Sequence, residues 1–343
     1  MYLDGYDNLQ DQEVTNMENL NEPLVSIGIP TYNRPKTLYK TLESITKQTY
    51  QNIEIIVSDN CSPDNETETV VRDFMKSDDR IHFYRQSSNI GMFNNFKFVL
   101  QVSKGDYFCW AADDDSRSYD FIEACVNKFN EMQDLAKTSN LILVNSYSEL
   151  IDPVTENLIA VDKGCTTIGF SAEQRYRRYI DSIFKEQAWV GDLIYGLIKR
   201  DAADKAMLTQ PNILGWDHIF LANLALQGEF YTIPKSMMRS SPGGISTTDD
   251  DKMARSQLIE GSFSHKKRGW VRELYLQRCI RDAEQVSSFR KMILSAWSYN
   301  HYMKTRGMNN IARSFFPEGY ETLKILFGPN QFLHPNQISK EEK

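Results

Sequence analysis

Residues 106–115 read DYFCWAADDD: an apolar, aromatic run that stops on three consecutive aspartates, Asp113, Asp114 and Asp115. Tyr, Phe, Cys and Trp in succession suit a strand buried on both faces. Three adjacent carboxylates repel one another, so such a strand end is tolerable only where a proton or a cation offsets the charge. Working outward, this segment is one of a series. PLVSIGIP (23–30), NIEIIVSD (52–59), IHFYR (81–85) and LILVNSYSEL (141–150) share the β-rich composition of strands. Between them KTLYKTLESITKQ (36–48), ETETVVRDFMK (66–76), MFNNFKFVLQVS (92–103) and YDFIEACVNKFNEM (119–132) carry apolar residues at helical spacing. This alternation predicts βαβ units: an α/β chain with a Rossmann-like, mainly parallel sheet flanked by helices. Ligands of such sheets bind beyond the carboxyl ends of the strands. That rule brings Pro30, Thr31, Tyr32 and Asn33, then Asp59 and Asn60, then Asp113–Asp115 to one crevice.

The next stretch is mixed. SAEQRYRRYIDSIFKEQ (171–187) reads as a helix with Ser171 as its N-cap and Glu173 or Gln174 beside it. DLIYGLIK (192–199) reads as a strand, DHIFLANLALQG (217–228) as a helix ending at Gly228, and EFYTIPKSMMR (229–239) as strands. SSPGGISTTDDDK (240–252) reads as a mobile loop, either an ordinary surface connection or a lid hinged at Gly243-Gly244 that brings Arg239 to a diphosphate. From 252 to about 328 the pattern is helical. The expected organisation is an acidic extension (1–22), a main domain (23–250) with a nucleotide-binding half (23–116) and an acceptor half (117–250), a helical region (251–330) and a polar tail (331–343).

The chain has 343 residues, 41% hydrophobic and 25% charged, with net charge −7, so nothing in its balance points to a nucleic-acid partner. Residues 252–343 nevertheless hold 16 Lys and Arg against 8 Asp and Glu. That excess is either a solvated helical face or a contact for anionic lipid or a phosphate-bearing acceptor. The five cysteines include no C-x-x-C pair, which suits a reducing compartment. Without an evident signal peptide or spanning run, the expected location is cytoplasmic, with peripheral membrane contact through the basic region as an option.

Several segments together resemble the family 2 glycosyltransferases of the GT-A fold: VSIGIPTYNR (25–34), IEIIVSDNCSPDNE (53–66), SSNIGMFNNFKFVLQVSKGDYFCWAADDD (87–115), GDLIYGLIKRDA (191–202) and GWDHIFLANLALQGEFYTIPK (215–235). Their order and spacing carry the resemblance, which spans roughly residues 23–246. It implies an inverting, metal-dependent transfer of sugar from a nucleotide-diphosphate donor, UDP- or dTDP-linked, to a saccharide or lipid-linked acceptor. Asp115 would coordinate Mn²⁺ or Mg²⁺, with Asp113 or Asp114 reaching the ion or the ribose. Asp59 would read the base, although family members commonly carry two acidic residues and a glycine where this chain has Ser58-Asp59-Asn60. Asp217 would be the general base, although a Glu-Asp pair is common where this chain has Trp216-Asp217.

The residues carry these roles chemically, each beside a plainer one. Carboxylate oxygens suit a hard divalent ion that neutralises a leaving diphosphate. Asp59 can pair with the imide N–H of uracil or thymine, or simply close a turn. Tyr32 can stack on a base. Asn89 and Gly91 precede a helix whose N-terminus favours anions, and a simple turn explains them equally. Asp217 can remove a proton or cap its helix, and His218 is a competing base. A sugar nucleotidyltransferase would want a glycine-rich phosphate loop where this chain has PTYNRPKT. A non-catalytic nucleotide-sugar-binding module would keep the crevice and lose the base.

Overall fold

The computed structural model describes residues 22–135, 140–152, 154–185, 190–213, 215–240 and 268–303. Three βα units and a fourth strand come first: β1 (Val25–Thr31), α1 (Pro35–Thr46), β2 (Ile53–Asp59), α2 (Glu66–Met75), β3 (Ile81–Arg85), α3 (Met92–Val102) and β4 (Tyr107–Trp110). Their strands are parallel in the order β3-β2-β1-β4, with Val25 opposite both Ile53 and Tyr107. The chain continues through β5 (Ser116–Arg117), α4 (Phe121–Leu135), β6 (Leu141–Ile151), β7 (Leu158–Asp162), α5 (Ala172–Lys185), a 3₁₀ helix (Val190–Tyr195), β8 (Leu197–Lys199), α6 (Arg200–Leu208), α7 (Trp216–Gln227) and β9 (Glu229–Ser240). The same sheet extends from β4 through β8, β6 and β9 to β5, with β7 on β6.

The parallel character ends at β4. β8 runs antiparallel to β4 and β6, β5 antiparallel to β9 and β7 antiparallel to β6, whereas β9 is parallel to β6. The α/β architecture is as expected, but the sheet is mixed beyond its first four strands. DLIYGLIK is likewise not one strand. Leu193 and Ile194 are buried inside the 3₁₀ turn, where the Gly196 N–H bonds the Leu193 carbonyl at 3.1 Å. A short apolar run buries equally well as a turn of helix or as a strand, so periodicity does not separate them. A Cβ on Gly196 would stand 2.9 Å from the Val144 carbonyl oxygen, which fixes a small residue where the turn enters β8.

Alternation along the strands divides the core in two. Val25, Ile27 and Ile29 of β1, Ile53, Ile55 and Val57 of β2, and Tyr107 and Cys109 of β4 share a cluster with Leu38 and Leu42 of α1. Ile56, Phe108 and Trp110 face the other way, towards Val99 of α3 and Phe220 of α7. Gly28 sits on that second face, where a Cβ would come within 2.7 Å of the Val99 side chain, so α3 lies directly on the backbone of β1. The predicted cap of α5 forms as a reciprocal pair: the Ser171 N–H bonds Gln174 Oε1 at 2.9 Å, and the Gln174 N–H bonds Ser171 Oγ at 3.4 Å.

Two helices follow, α8 (Arg268–Asp282) and α9 (Ser288–Tyr302). Leu276, Cys279 and Ile280 of α8 and Leu294 of α9 are buried in the α7-side core. A buried polar chain ties them to α5: the Tyr176 and Ser298 hydroxyls meet at 3.1 Å, and Ser298 bonds Glu273 at 3.0 Å. Among the described residues no helix is long and apolar enough to cross a membrane. The acidic extension, the loop beyond Ser240 and the tail lie outside the described residues.

Candidate functional site

The three strand ends predicted to converge do so. Thr31, at the end of β1, is opposite Asp59, at the end of β2, and the Thr31 hydroxyl donates to Asp113 Oδ2 at 2.7 Å. Asp59 is fully buried. Its Oδ1 accepts the Ser62 N–H (3.0 Å) and hydroxyl (2.5 Å), which is the turn-closing role, and Ser62 Oγ accepts the Asn33 N–H at 2.8 Å. Its Oδ2 has no hydrogen-bond partner among the described residues, and the nearest cation is Arg85 Nε at 3.7 Å. One half of this carboxylate builds the turn, and the other half is a buried acceptor with capacity left over.

The loops around it are held in uncommon conformations. Asn33 and Cys61 have φ of 54° and 65°, in the left-handed region that costs a non-glycine residue about 1–2 kcal/mol. Asn60 and Asn89 lock the second and third loops together: the Asn60 amide donates to Asn89 Oδ1, which also takes the Gly91 N–H, both at 2.9 Å. Gly91, at φ 83°, opens α3. Asn89 therefore acts inside the loop wall. Asn95, which sequence reasoning missed, braces the same wall. It is 3% exposed, accepts from the Ser58 hydroxyl at 2.6 Å and donates to the Ser58 carbonyl at 2.9 Å. The signal was a polar residue one turn after Gly91 on an apolar helix. Pro30 lies within β1 and Tyr32 is partly exposed at its end.

The triad is divided by its environment. Asp113 and Asp114 both meet Arg34 Nη1, at 3.4 and 2.5 Å. Burial lifts the Asp113 carboxyl to about 6 although Arg34 pulls it down. Asp115 is different: no described residue donates a hydrogen bond to its carboxylate. Burial first, then the charges of Asp192 and Asp114, push it well above the ordinary carboxylate range. Asp192, from the 3₁₀ turn, is 4% exposed and was not singled out in the sequence. A carboxylate inside the apolar run VGDLIYG was the available signal. Asp162, ending β7, extends this acidic ground. It is 6% exposed, its Oδ1 accepts the Gly164 N–H at 2.7 Å, and its Oδ2 has no hydrogen-bond partner among the described residues. Burial lifts it to about 7, with Asp192 acting in the same direction.

This donor set fits a hard divalent cation at Asp115, because burial and the neighbouring carboxylates outweigh the opposing charge of Arg117. Among the described residues no three His, Cys, Asp or Glu side chains converge on one point, so the protein alone does not complete such an ion's shell. Beneath the triad Arg117 is buried, donating to the Trp110 and Tyr195 carbonyls and to Cys109 Sγ. Arg239 stands on β9 opposite Ser116, and its Nε meets Glu149 at 3.2 Å.

Asp217 occupies the first turn of α7, which Gly215 caps at φ 84°. Trp216 is core, 3% exposed, with its ring 6.0 Å from Trp110 and 5.3 Å from Phe93. His218 Nδ1 meets the Tyr179 hydroxyl at 3.5 Å. Tyr195 ends the 3₁₀ helix, and its carbonyl accepts from Arg117. Its phenol is pushed well above its usual value by burial and then by Asp115, Asp192, Asp114 and Asp217. Asp114, Asp115 and Asp217 all lie within electrostatic reach of this phenol.

The glycosyl transferase family 2 sequence model matches residues 26–143. An uncharacterised glycosyltransferase of Rickettsia typhi is 34% identical over 144 residues, 42% of each chain. The glycosyltransferase GlyG of Streptococcus pneumoniae is 34% identical over 125 residues, 36% of this chain and 40% of that one. A GalNAc(5)-diNAcBac-PP-undecaprenol beta-1,3-glucosyltransferase of Campylobacter jejuni is 36% identical over 110 residues, 32% and 35% of the two chains. The similarity thus spans about two fifths of these relatives. TarS of S. aureus (residues 1–349), solved in complex with UDP-GlcNAc, superposes with a TM-score of 0.56 at 15% identity over 90% of this chain and 78% of that one. Residues 26–143 thus match the glycosyl transferase family 2 model, and the chain shares its fold with TarS.

Proposed function

We propose that the chain is an inverting glycosyltransferase that moves a sugar from a UDP- or dTDP-linked donor to a hydroxyl of a saccharide or lipid-linked acceptor in surface polysaccharide synthesis. The observation that supports this reading is the meeting of Thr31, Asp59 and Asp113 at the carboxyl ends of β1, β2 and β4, with Asp217 within electrostatic reach of the same Tyr195 as Asp114 and Asp115. The spare oxygen of Asp59 suits the imide N–H of uracil or thymine, and Tyr32 would stack on the base. TarS, the fold relative, was crystallised with UDP and with UDP-GlcNAc, which makes uridine donors the first to try. A bound Mn²⁺ or Mg²⁺, held by Asp115 with Asp113 or Asp114, would offset charge on the leaving diphosphate.

Asp217 takes the proton of the acceptor hydroxyl as its oxygen bonds to the anomeric carbon. The bond from that carbon to the diphosphate oxygen breaks in the same displacement, the nucleoside diphosphate leaves with the electron pair, and the anomeric configuration inverts. Burial and the neighbouring carboxylates keep the Tyr195 phenol protonated.

The test is release of nucleoside diphosphate from a panel of nucleotide sugars with Mn²⁺ and saccharide or polyprenyl-diphosphate-saccharide acceptors. Asp217→Asn should keep donor binding and melting temperature while losing about 10²-fold or more in transfer. Full activity in that variant, or loss only in His218→Ala, removes Asp217 from the role. Donor binding without turnover on any acceptor would favour a binding module.

A further inference from the structure

Helix α9 carries an apolar stripe on the side away from the core. Phe289, Met292, Ile293 and Ala296 stand at i, i+3, i+4 and i+7, the spacing that normally faces a protein interior. All four are exposed instead, Phe289 by 67% and Met292 by 62%. The inward side is Leu294, Ser298, His301 and Tyr302, and Ser298 belongs to the polar chain with Tyr176 and Glu273. Rotating the helix to bury the stripe would break that chain, so the inner hydrogen bonds fix the apolar side outward. The helix lies between α8 and α5, and both flanks carry arginines. On the α8 side Asp282 serves both Arg278 and Arg281, at 3.6 and 3.0 Å, and Lys291 reaches across to the Arg281 carbonyl at 2.7 Å. On the α5 side Arg290 meets Glu173 at 3.4 Å, and Arg177 lies 5.0 Å over the Trp297 ring. Leu274, exposed one turn before Arg278, continues the apolar surface onto α8. Residues 268–303 hold six Lys and Arg against three Asp and Glu, in a chain whose net charge is −7.

We infer that this face rests on an anionic lipid bilayer, with Phe289, Met292 and Ile293 at the acyl boundary and the flanking arginines among the phosphates. The inference goes beyond the nucleotide-sugar reading and does not depend on it. An apolar stripe edged by cations is the chemistry of a helix lying in the plane of a membrane interface. Charge selects the partner: a negative surface attracts this end of the molecule and repels the acidic remainder, which also sets the orientation of the protein on the bilayer. A second copy docked stripe to stripe would instead bring like-charged flanks together across a two-fold axis.

The experiment is flotation of the full chain with vesicles of phosphatidylcholine alone and of equimolar phosphatidylcholine and phosphatidylglycerol. The parent is compared with Met292→Ser combined with Ile293→Ser, and with Arg278→Gln combined with Arg281→Gln, with melting temperature and light scattering recorded alongside. The parent should float with the anionic vesicles and bind neutral ones about 10-fold or more less tightly. The serine pair should lower binding to anionic vesicles by about 10-fold or more with the melting temperature unchanged, because both positions are exposed in the free protein. The glutamine pair should weaken anionic binding about 10-fold and flatten its salt dependence. A parent that floats with neither vesicle, or variants that float as the parent does, overturns the inference. A concentration-dependent dimer that the serine pair abolishes also overturns it and gives the stripe to a second copy. Equal binding to neutral and anionic vesicles overturns the choice of an anionic surface.

Discussion

Replacing Asp162 by Asn should stabilise the protein, and only at neutral to alkaline pH. The carboxylate is 6% exposed, one oxygen has no hydrogen-bond partner among the described residues, and burial lifts it to about 7 from an ordinary value near 3.8. Because the folded-state value is the higher one, the unfolded chain gives up this proton first. Stability from this group is therefore complete below about pH 3.8 and is lost as pH rises through 7. A shift of about three units corresponds to roughly 4 kcal/mol at pH 8, and screening by penetrating water reduces that to roughly 2–4 kcal/mol. The amide of Asn keeps an oxygen for the Gly164 N–H and carries no charge to desolvate. At about 2–4 °C per kcal/mol, Asp162→Asn should melt several degrees above the parent at pH 8. The assay is thermal unfolding of both proteins from pH 4 to 8. The difference should shrink steadily towards pH 4. A pH-independent difference, or a variant that is less stable at pH 8, would show that the carboxylate is solvated or paired and refute the reasoning.

Two further outcomes follow from the same geometry. Asp59→Asn keeps the oxygen that Ser62 needs and loses the spare acceptor, so it should fold normally and bind UDP about 10-fold more weakly in calorimetry, with the response to Mn²⁺ preserved; unchanged UDP affinity would remove Asp59 from base recognition. Ile280→Ala empties a fully buried position between α8 and α7 and should cost about 2–5 kcal/mol in chemical denaturation, whereas an unaltered midpoint would mean that α8 is not docked.

The parts of the fold visible in the sequence were those written locally. Val25, Ile27 and Ile29, or Phe108 and Trp110, announce strands because both faces are covered, and the three strand ends follow once alternation with helices is seen. β5, two residues long, and β7, with Leu158, Ile159, Ala160 and Val161 exposed, carry no apolar period to read. The mixed order beyond β4 depends on which strands pair across long separations, and no local pattern records that. The site divides along the same line. Thr31, Asp59 and the triad sit where topology demands a ligand. Asp192, Asp162 and Tyr195 reach the crevice only through pairings of β6, β8 and the 3₁₀ turn, so their sequence surroundings look like ordinary core.

The contact between Trp110 and Trp216 has a consequence for how such a protein can diversify. Trp110 precedes the triad by three residues, Trp216 adjoins Asp217, and both rings pack with Phe220 in one block. The gap between the triad and Asp217, the two groups to which the proposed function gives the donor and the acceptor proton, is therefore set by rigid aromatic packing rather than by the rims. Rims such as the β6–β7 hairpin can then lengthen, shorten or change chemistry to suit a new sugar without altering the reach of the reacting groups. Selection on specificity and selection on reaction distance act on separate residues, and a lineage can explore the first while the second stays fixed.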